Sequence, residues 1–346
     1  MSTTLQQSMF AAIEEELKRQ VARLDQPHTR PFHEMLTYHM GWTGEGSGPQ
    51  AAGKRIRPLL VLLGSASFSV GTKSDGRTVI NWLHAVSAAA SVELVHNFSL
   101  VHDDIQDNSE LRRGRKTAWV KWGAPMAINV GDALFVMANQ SMVDLKARYP
   151  AEIVVKAVEI LGNCCLDLTR GQYLDMSFEE RFDLKMEDYW RMIAGKTSAL
   201  LSACTHLGAI LGYAKDSEQE AFRLFGHHLG QAFQVQDDIL GIWGDEALTG
   251  KSAASDLVEG KNSLPVLYAL EQNGKFAARW KQGPIPVQEV GGMASLLETE
   301  GARSFAEQAA ETETKKALAY LEEANPQGEA GAIIRELANK LLKRRQ

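Results

Sequence analysis

The sequence is short of cysteine: 346 residues carry three, at Cys164, Cys165 and Cys204. Three thiols, two of them adjacent, build no disulfide framework, and a reducing compartment is the expectation. No apolar run reaches the roughly eighteen residues of a membrane span, because the run from Leu59 is diluted by Gly64, Ser65, Ser67 and Ser69. The first twenty residues also lack the basic-then-apolar layout of a secretory signal. These absences predict a cytoplasmic chain with no transmembrane segment. Positive charge is not in excess either. The 37 Lys and Arg face 43 Asp and Glu, a formal net charge of −6, which argues against a nucleic-acid partner. Sustained period-two alternation is missing, as is any repeat of fixed length.

What is present is helical periodicity and enough apolar residues, 45% of the chain, for a sizeable core. Residues 5–24 space Phe10, Ile13, Leu17, Val21 and Leu24 three or four apart, the pattern of an amphipathic helix. Further apolar segments follow at 56–70, 79–101, 126–145, 152–176, 188–213, 219–243 and 264–272, and the stretch 293–343 is rich in strong helix formers. Turn-like stretches lie at 44–53, 71–76, 281–292 and 325–328. No loop has the length of an interdomain linker. The pattern predicts one all-α domain over residues 1–346, with its chemistry between helices.

The most informative segment runs from Glu93 to Asp107, ELVHNFSLVHDDIQD. On a helix Asp103 and Asp107 are i and i+4, one turn apart on one face, with Asp104 about 100° round. Stacked like charges cost a few tenths of a kcal/mol, roughly, on an isolated helix, and a cation would offset that. Magnesium suits such a place, since it takes oxygen ligands and commonly uses one or two carboxylates beside substrate phosphates and water. The bland alternative is an acidic helix end in solvent. Arg112, Arg113, Arg115 and Lys116 follow in LRRGRKT; they are either surface pairs or part of a polyphosphate clamp. A second pair, Asp237 and Asp238, ends another apolar stretch in FQVQDDILG.

Two rival sites fail on spacing. A di-iron bundle needs two Glu-x-x-His strings and two further glutamates, and Glu93 to His96 has no second copy. A P-loop needs a glycine five residues before GK. Trp190 stands there for the GKT at 195–197, and the GKS at 250–252 has five residues after Gly244 instead of four.

GKRIRP at 53–58, the segment 93–107, LRRGRKT at 111–117, GDALF at 131–135, GQYLD at 171–175, GKTSAL at 195–200, FQVQDDILG at 233–241 and GKN at 260–262 occur in this order. The set resembles the motifs of the trans-isoprenyl diphosphate synthase (polyprenyl synthetase) family. The resemblance implies a single large helical bundle of the isoprenoid synthase type with a deep central cavity. It implies a magnesium-dependent prenyltransferase, with three Mg2+ ions, joining an allylic diphosphate to isopentenyl diphosphate. Asp103, Asp104, Asp107, Asp237 and Asp238 would be the metal ligands. Arg112, Lys196, Thr197, Gln234 and Lys251 would hold the allylic substrate, and Lys54, Arg57, His96 and Arg113 the isopentenyl diphosphate. Asp103, Asp104, Lys196 and Asp237 would carry the catalysis. A homodimer is implied as well. A class I terpene cyclase shares the aspartates but has no need of Lys54, Arg57 and His96. A non-catalytic subunit of a heteromeric prenyltransferase typically loses aspartates that are kept here.

One departure stands out: Gly241 occupies the place of the third aspartate of the second motif, with Asp245 and Asp256 as substitutes to consider. Product length, on the same resemblance, is set by Phe98 and Ser99, five and four residues before Asp103. One aromatic there, with no insertion in DDIQD, implies geranylgeranyl (C20) product; the farnesyl (C15) and longer products are the alternatives. The basic Lys343, Arg344 and Arg345 are either solvated or folded over a diphosphate.

Overall fold

The computed structural model describes residues 4–68, 81–178, 181, 183–244 and 254–342. It is helical almost throughout; the strands among the described residues are a two-residue hairpin at 111–112 and 115–116. No described helix is long and apolar enough to cross a membrane. The chain forms two compact units.

The first unit runs to Asn163 and takes in Ala203–Gln219 and Pro326–Ile334. Its helix α1 (Leu5–Val21) begins at a capping box, in which the Thr4 hydroxyl accepts from the Gln7 N–H and the Gln7 side chain accepts from the Thr4 N–H. The buried stripe is Met9, Ile13, Leu17 and Val21, so Met9 takes the place expected for Phe10, and the last turn, at 22–24, tightens to a 3-10 helix. Then come α2 (Arg30–His39), α3 (Pro49–Ala52), α4 (Ile56–Phe68), α5 (Val86–Gln106), α6 (Ala118–Trp122), α7 (Ala124–Val143) and α8 (Ala151–Phe178), the last counted here to Asn163.

Helix α5 is the centre of this unit. Residues 87 to 95 are all buried, as an apolar helix with no polar stripe requires, and α7, α4 and α1 pack round it. Small residues let α7 come close. The Ser91 hydroxyl donates to the Ala138 carbonyl and the Ser141 hydroxyl to the Ser87 carbonyl, both at 2.7 Å. Two hydroxyls thus satisfied inside the core fix the axial register of the pair.

The second unit holds Cys164–Ser202, Glu220–Asn325 and the chain from Arg335. It contains α9 (Met186–Ile193), a π-helical turn at Ala194–Ser198, the first residues of α10 (Ala199–Leu211), most of α11 (Asp216–Trp243), then α12 (Ser255–Val258), α13 (Leu264–Gln272), α14 (Lys275–Trp280), α15 (Val290–Thr299), α16 (Ala302–Ala324) and the end of α17 (Gly328–Leu342). Tyr189, Val235, Leu257, Phe276 and Leu297 sit in its core. The helix-forming tail is divided at Gly301 and Asn325, both at positive φ, the conformation in which helices commonly end.

Candidate active site

In the first unit the aspartates fall at the C-terminal end of α5, where the helix dipole is already negative. Asp103 is half-buried and Asp107, the cap, is exposed. Asp104 turns the other way and is buried; Nε of Arg112 donates to its Oδ1 at 2.7 Å, and Nη2 stands in ion-pair contact with the same oxygen at 2.7 Å. Burial lifts the Asp104 carboxyl to about 6 against the pull of Arg112. The three aspartates are therefore not equivalent. Asp104, expected among the metal ligands, has its charge matched by arginine, because the 100° step to its neighbour points it off the Asp103–Asp107 face.

The Arg112–Asp104 pair is carried by the hairpin, which sequence periodicity missed. Its turn residues Arg113 and Gly114 both have positive φ, 53° and 74°, as a tight two-residue hairpin loop requires. Arg113 then reaches back so that its Nη1 donates to the Ala51 carbonyl at 2.8 Å. Its guanidinium lies over Gly53, where a Cβ would stand 2.6 Å from it. Of the four cations in LRRGRK, Arg115 does something else: it is spent on the Tyr38, Thr43 and Glu45 carbonyls.

Around Arg113 the same unit gathers further positive charge. Arg57 Nη1 lies 3.3 Å from His96 Nε2. Burial above all, then Arg57, Arg113, Arg112 and Arg55, pushes His96 well below its usual 6.5. A neutral imidazole accepts at Nε2, so Arg57 is the donor. Burial and the charges of Arg55, Arg112 and Arg57 likewise lower Arg113. Arg55 is neutralised by Glu14 at 2.6 Å and Glu93 at 2.7 Å, which makes it structural. Among the described residues no such carboxylate pairs with Arg57, whose Nε is buried without a partner. Guanidinium groups that stay charged and crowd together form a ready place for an anion. Lys54, three residues before Arg57 in sequence, is exposed.

Phe98 packs its ring 5.1 Å from Phe135 of α7 and 5.1 Å from His102. Ser99 is small and self-satisfied, its hydroxyl donating to the His96 carbonyl at 2.9 Å. Phe135 ends the GDALF motif, and no spacing argument had marked it as a neighbour of Phe98.

In the second unit the π-helical turn carries Lys196 and Thr197; such bulges are frequent at functional sites. Lys196 is ion-paired with Asp175 of GQYLD. The Thr197 hydroxyl donates to Gln234 Oε1 at 2.6 Å, and Gln234 Nε2 donates to Asp238 Oδ1 at 3.0 Å. The other oxygen of Asp238 accepts from the Tyr189 hydroxyl at 2.8 Å and the Leu264 N–H at 2.9 Å. Asp238 is buried and Asp237 exposed. Burial pushes the Asp238 carboxyl up to about 7 even with these donors. Asp238, expected as a ligand, thus ties α9, α11 and α13 together. Asp175 and Tyr189 are site neighbours that the sequence reading did not single out, although Asp175 lay inside a quoted motif. Lys251, Asp245 and the basic residues 343–345 lie outside the described residues.

Among the described residues no three His, Cys, Asp or Glu side chains converge to hold a metal. The carboxylates present fit magnesium of the open kind, in which one or two carboxylates serve and phosphate oxygens and water complete the shell. They do not fit a closed structural metal cage.

A model of the polyprenyl synthetase family matches residues 48–283. The (2E,6E)-farnesyl diphosphate synthase of Mycobacterium tuberculosis is 35% identical over 338 residues, 95% of this chain and 89% of that one. The geranylgeranyl diphosphate synthase of the same organism is 37% identical over 301 residues, 85% of this chain and 82% of that one. Among solved structures, the polyprenyl synthetase of Streptomyces coelicolor superposes with a TM-score of 0.81 at 32% identity, covering 96% of this chain and 99% of that one. The chain belongs to the polyprenyl synthetase family and is a prenyltransferase with that family's all-α fold.

Proposed function

We propose that this prenyltransferase is a short-chain trans-prenyl diphosphate synthase that joins an allylic diphosphate to isopentenyl diphosphate with magnesium and delivers the C20 product. The observation that carries the reading is the pair of guanidiniums, Arg57 and Arg113, gathered around the neutral His96. A buried guanidinium N–H without a protein partner and two guanidiniums with no carboxylate paired to them among the described residues call for an anionic ligand. That ligand is the diphosphate of isopentenyl diphosphate, with Lys54 at its exposed side.

In the first unit Asp103 and Asp107 are the carboxylates that would hold magnesium, with Asp104 fixing Arg112; in the second Asp237 would do so, with Asp238 fixing Gln234. Magnesium, when bound, supplies Lewis-acid neutralisation of the leaving diphosphate. Lys196 adds positive charge where negative charge develops, a role the family resemblance gives Lys251 and Arg112 as well. Thr197 and Gln234, locked by Asp238, keep Lys196 on its turn. As the allylic C–O bond breaks, its electron pair leaves with the diphosphate. The alkene electron pair of isopentenyl diphosphate, held in place by Arg57, His96 and Arg113, forms the new carbon–carbon bond. Loss of a proton to the departed diphosphate restores a trans alkene. The apolar wall that includes Phe98 keeps water from the cation.

The C20 product is favoured over C15 by Ser99, which leaves open the space that a second ring would block. Identities of 35% to a farnesyl and 37% to a geranylgeranyl synthase do not separate the two. The test is incubation of the purified chain alone with isopentenyl diphosphate and each allylic starter, with magnesium or with chelator, followed by product chain-length analysis. C20 product that disappears on chelation is the expected result. No turnover with any starter refutes the enzyme reading and favours a subunit that needs a partner. A homodimer is part of the proposal: α7 exposes Met126, Ile128, Phe135, Val136 and Val143, more than isolated apolar residues on one helix. A monomeric mass by light scattering refutes it.

A further inference from the structure

Two residues before Arg57 stands an arginine in a different setting. The Arg55 side chain is only 3% exposed, and its backbone has a left-handed φ of 48°. A residue other than glycine seldom takes that conformation unless its surroundings hold it there. What holds Arg55 is a pair of carboxylates: its Nε donates to Glu14 Oε1 at 2.6 Å and its Nη1 to Glu93 Oε1 at 2.7 Å. The Arg55 carbonyl accepts from the Leu59 N–H at 3.2 Å. Arg55 therefore opens α4, and its conformation fixes the direction in which the first turn, with Arg57 on it, sets out.

The two carboxylates come from different helices. Glu93 lies on α5 three residues before His96, and Asn97 fixes it, its Nδ2 donating to the Glu93 carbonyl at 2.8 Å and to Oε1 at 3.1 Å. Glu14 lies on α1, outside the residues 48–283 that match the family model. It is held in turn by Trp42, whose indole N–H donates to Glu14 Oε2 at 2.9 Å, so each Glu14 oxygen has a donor. Burial pulls Arg55 down, and Glu93 and Glu14 more than offset it, so the guanidinium stays charged. Burial also lowers Arg113, with Glu93 opposing that effect and Arg55 adding to it. A second carboxylate on Arg55 offsets the repulsion between the two guanidiniums.

We infer that Glu14 is a positioning residue for the second substrate: through Arg55 it sets the turn into α4, and with it the place of Arg57 in the diphosphate pocket. Helix α1 then does more than bury an apolar stripe, since its Glu14 ties the pocket's backbone to the helix. The role assigned to Glu14 rests on the reading of Arg57 as a ligand of isopentenyl diphosphate given above.

Steady-state kinetics of the full chain, with each substrate varied in turn, tests it. The forms compared are wild type, Glu14→Ala, Glu14→Gln and the control Glu15→Ala, which removes the exposed acid next to Glu14 on α1, with circular dichroism reporting the fold of each. Glu14→Ala is expected to raise KM for isopentenyl diphosphate about tenfold, within the coupling usual for residues that share one network, with kcat and the allylic KM unchanged. Such a split marks lost binding of one substrate, which a loosened fold would not confine to that substrate. Glu14→Gln keeps an oxygen for Arg55 Nε without the charge and is expected to lose less, and Glu15→Ala is expected to match wild type. A folded Glu14→Ala protein with the wild-type KM for isopentenyl diphosphate overturns the inference, as do equal losses for both substrates or the same rise in Glu15→Ala. If Glu14→Ala does not fold, Trp42→Phe decides by releasing Glu14 Oε2: a selective rise in the same KM supports the inference, whereas an unchanged value or failure to fold overturns it. Arg57→Gln separates the two readings, because an unchanged KM for isopentenyl diphosphate in that variant refutes the pocket itself, and the role of Glu14 with it.

Discussion

The substitution Gly171→Ala tests whether close backbone contact, rather than a side chain, places Lys196. A Cβ at Gly171 on α8 would lie 2.1 Å from the Lys196 nitrogen, 2.6 Å from the Gly195 carbonyl carbon and 2.8 Å from the Lys196 Cα. These are backbone atoms, which no rotamer change moves. Ordinary contact begins near 3.4 Å, so α8 and the π-helical turn must part by more than an ångström. Overpacking of this kind costs about 1–3 kcal/mol. A misplacement of about 1 Å at a catalytic group lowers turnover on the order of a hundredfold. Urea denaturation read by circular dichroism gives the first number, and steady-state turnover of the folded fraction gives the second. Gly162→Ala on the same helix is the control: nothing lies within 4 Å of its Cβ, and a stability gain of about 0.4–1 kcal/mol with unchanged turnover is expected. Gly171→Ala with wild-type stability refutes the packing claim. A destabilised protein with normal turnover refutes the link from Gly171 to Lys196.

Three further outcomes are expected. Arg55→Leu leaves the buried Glu93 carboxylate without its guanidinium and lowers stability by about 3–5 kcal/mol in urea denaturation; a loss below about 1 kcal/mol, the worth of a surface pair, shows that Arg55 is not holding Glu93. His39 is lowered to about 3 by burial first and then by Arg112 and Arg113. Its unfolded form takes up a proton below about 6.5 while the folded form stays neutral, so its contribution is full above that pH and is lost as pH falls towards the folded value. From pH 6.5 to 5 this amounts to up to about 2 kcal/mol, and His39→Gln should flatten the acid limb of the stability curve; parallel curves refute it. Phe98→Ala should lengthen the products and Ser99→Phe shorten them, read by chromatography of the dephosphorylated alcohols, and an unchanged distribution in both places the floor of the tail pocket elsewhere.

Helix positions were legible because burial writes a period into the sequence: Ile13, Leu17 and Val21 are spaced as they pack. The hairpin at 111–116 was not, since two-residue strands have no period and its turn rests on Arg113, a residue that seldom takes positive φ. Charged motifs were legible as motifs, and the structure assigns their members different partners. Arg112, Arg113 and Arg115 are neighbours in sequence, yet one meets Asp104, one sits on Gly53, and one holds the loop at 43–45. The glycines of GQYLD and GKT could be read as motif letters, but the reason for them, Gly171 against the Lys196 nitrogen, is a tertiary contact across 25 residues of chain.

The two aspartate motifs share a physical logic that a string of letters conceals. In each, adjacent aspartates sit about 100° apart on a helix, so when one faces outward its neighbour must turn in. Asp104 and Asp238 are 2% and 6% exposed, whereas Asp103 is half-buried and Asp237 exposed. The inward member meets protein donors in both cases, Arg112 for Asp104 and Tyr189, Gln234 and the Leu264 N–H for Asp238. Burial raises both carboxyls above the usual aspartate range, to about 6 and about 7, a penalty that a merely solvated acidic helix end would not bear. An inward aspartate locks the hairpin or the neighbouring helices against its own helix, and the outward one is thereby held at a defined place. On the function proposed above, a doubled aspartate is one ligand and one anchor, and replacing the anchor with asparagine should loosen cation binding without removing a ligand.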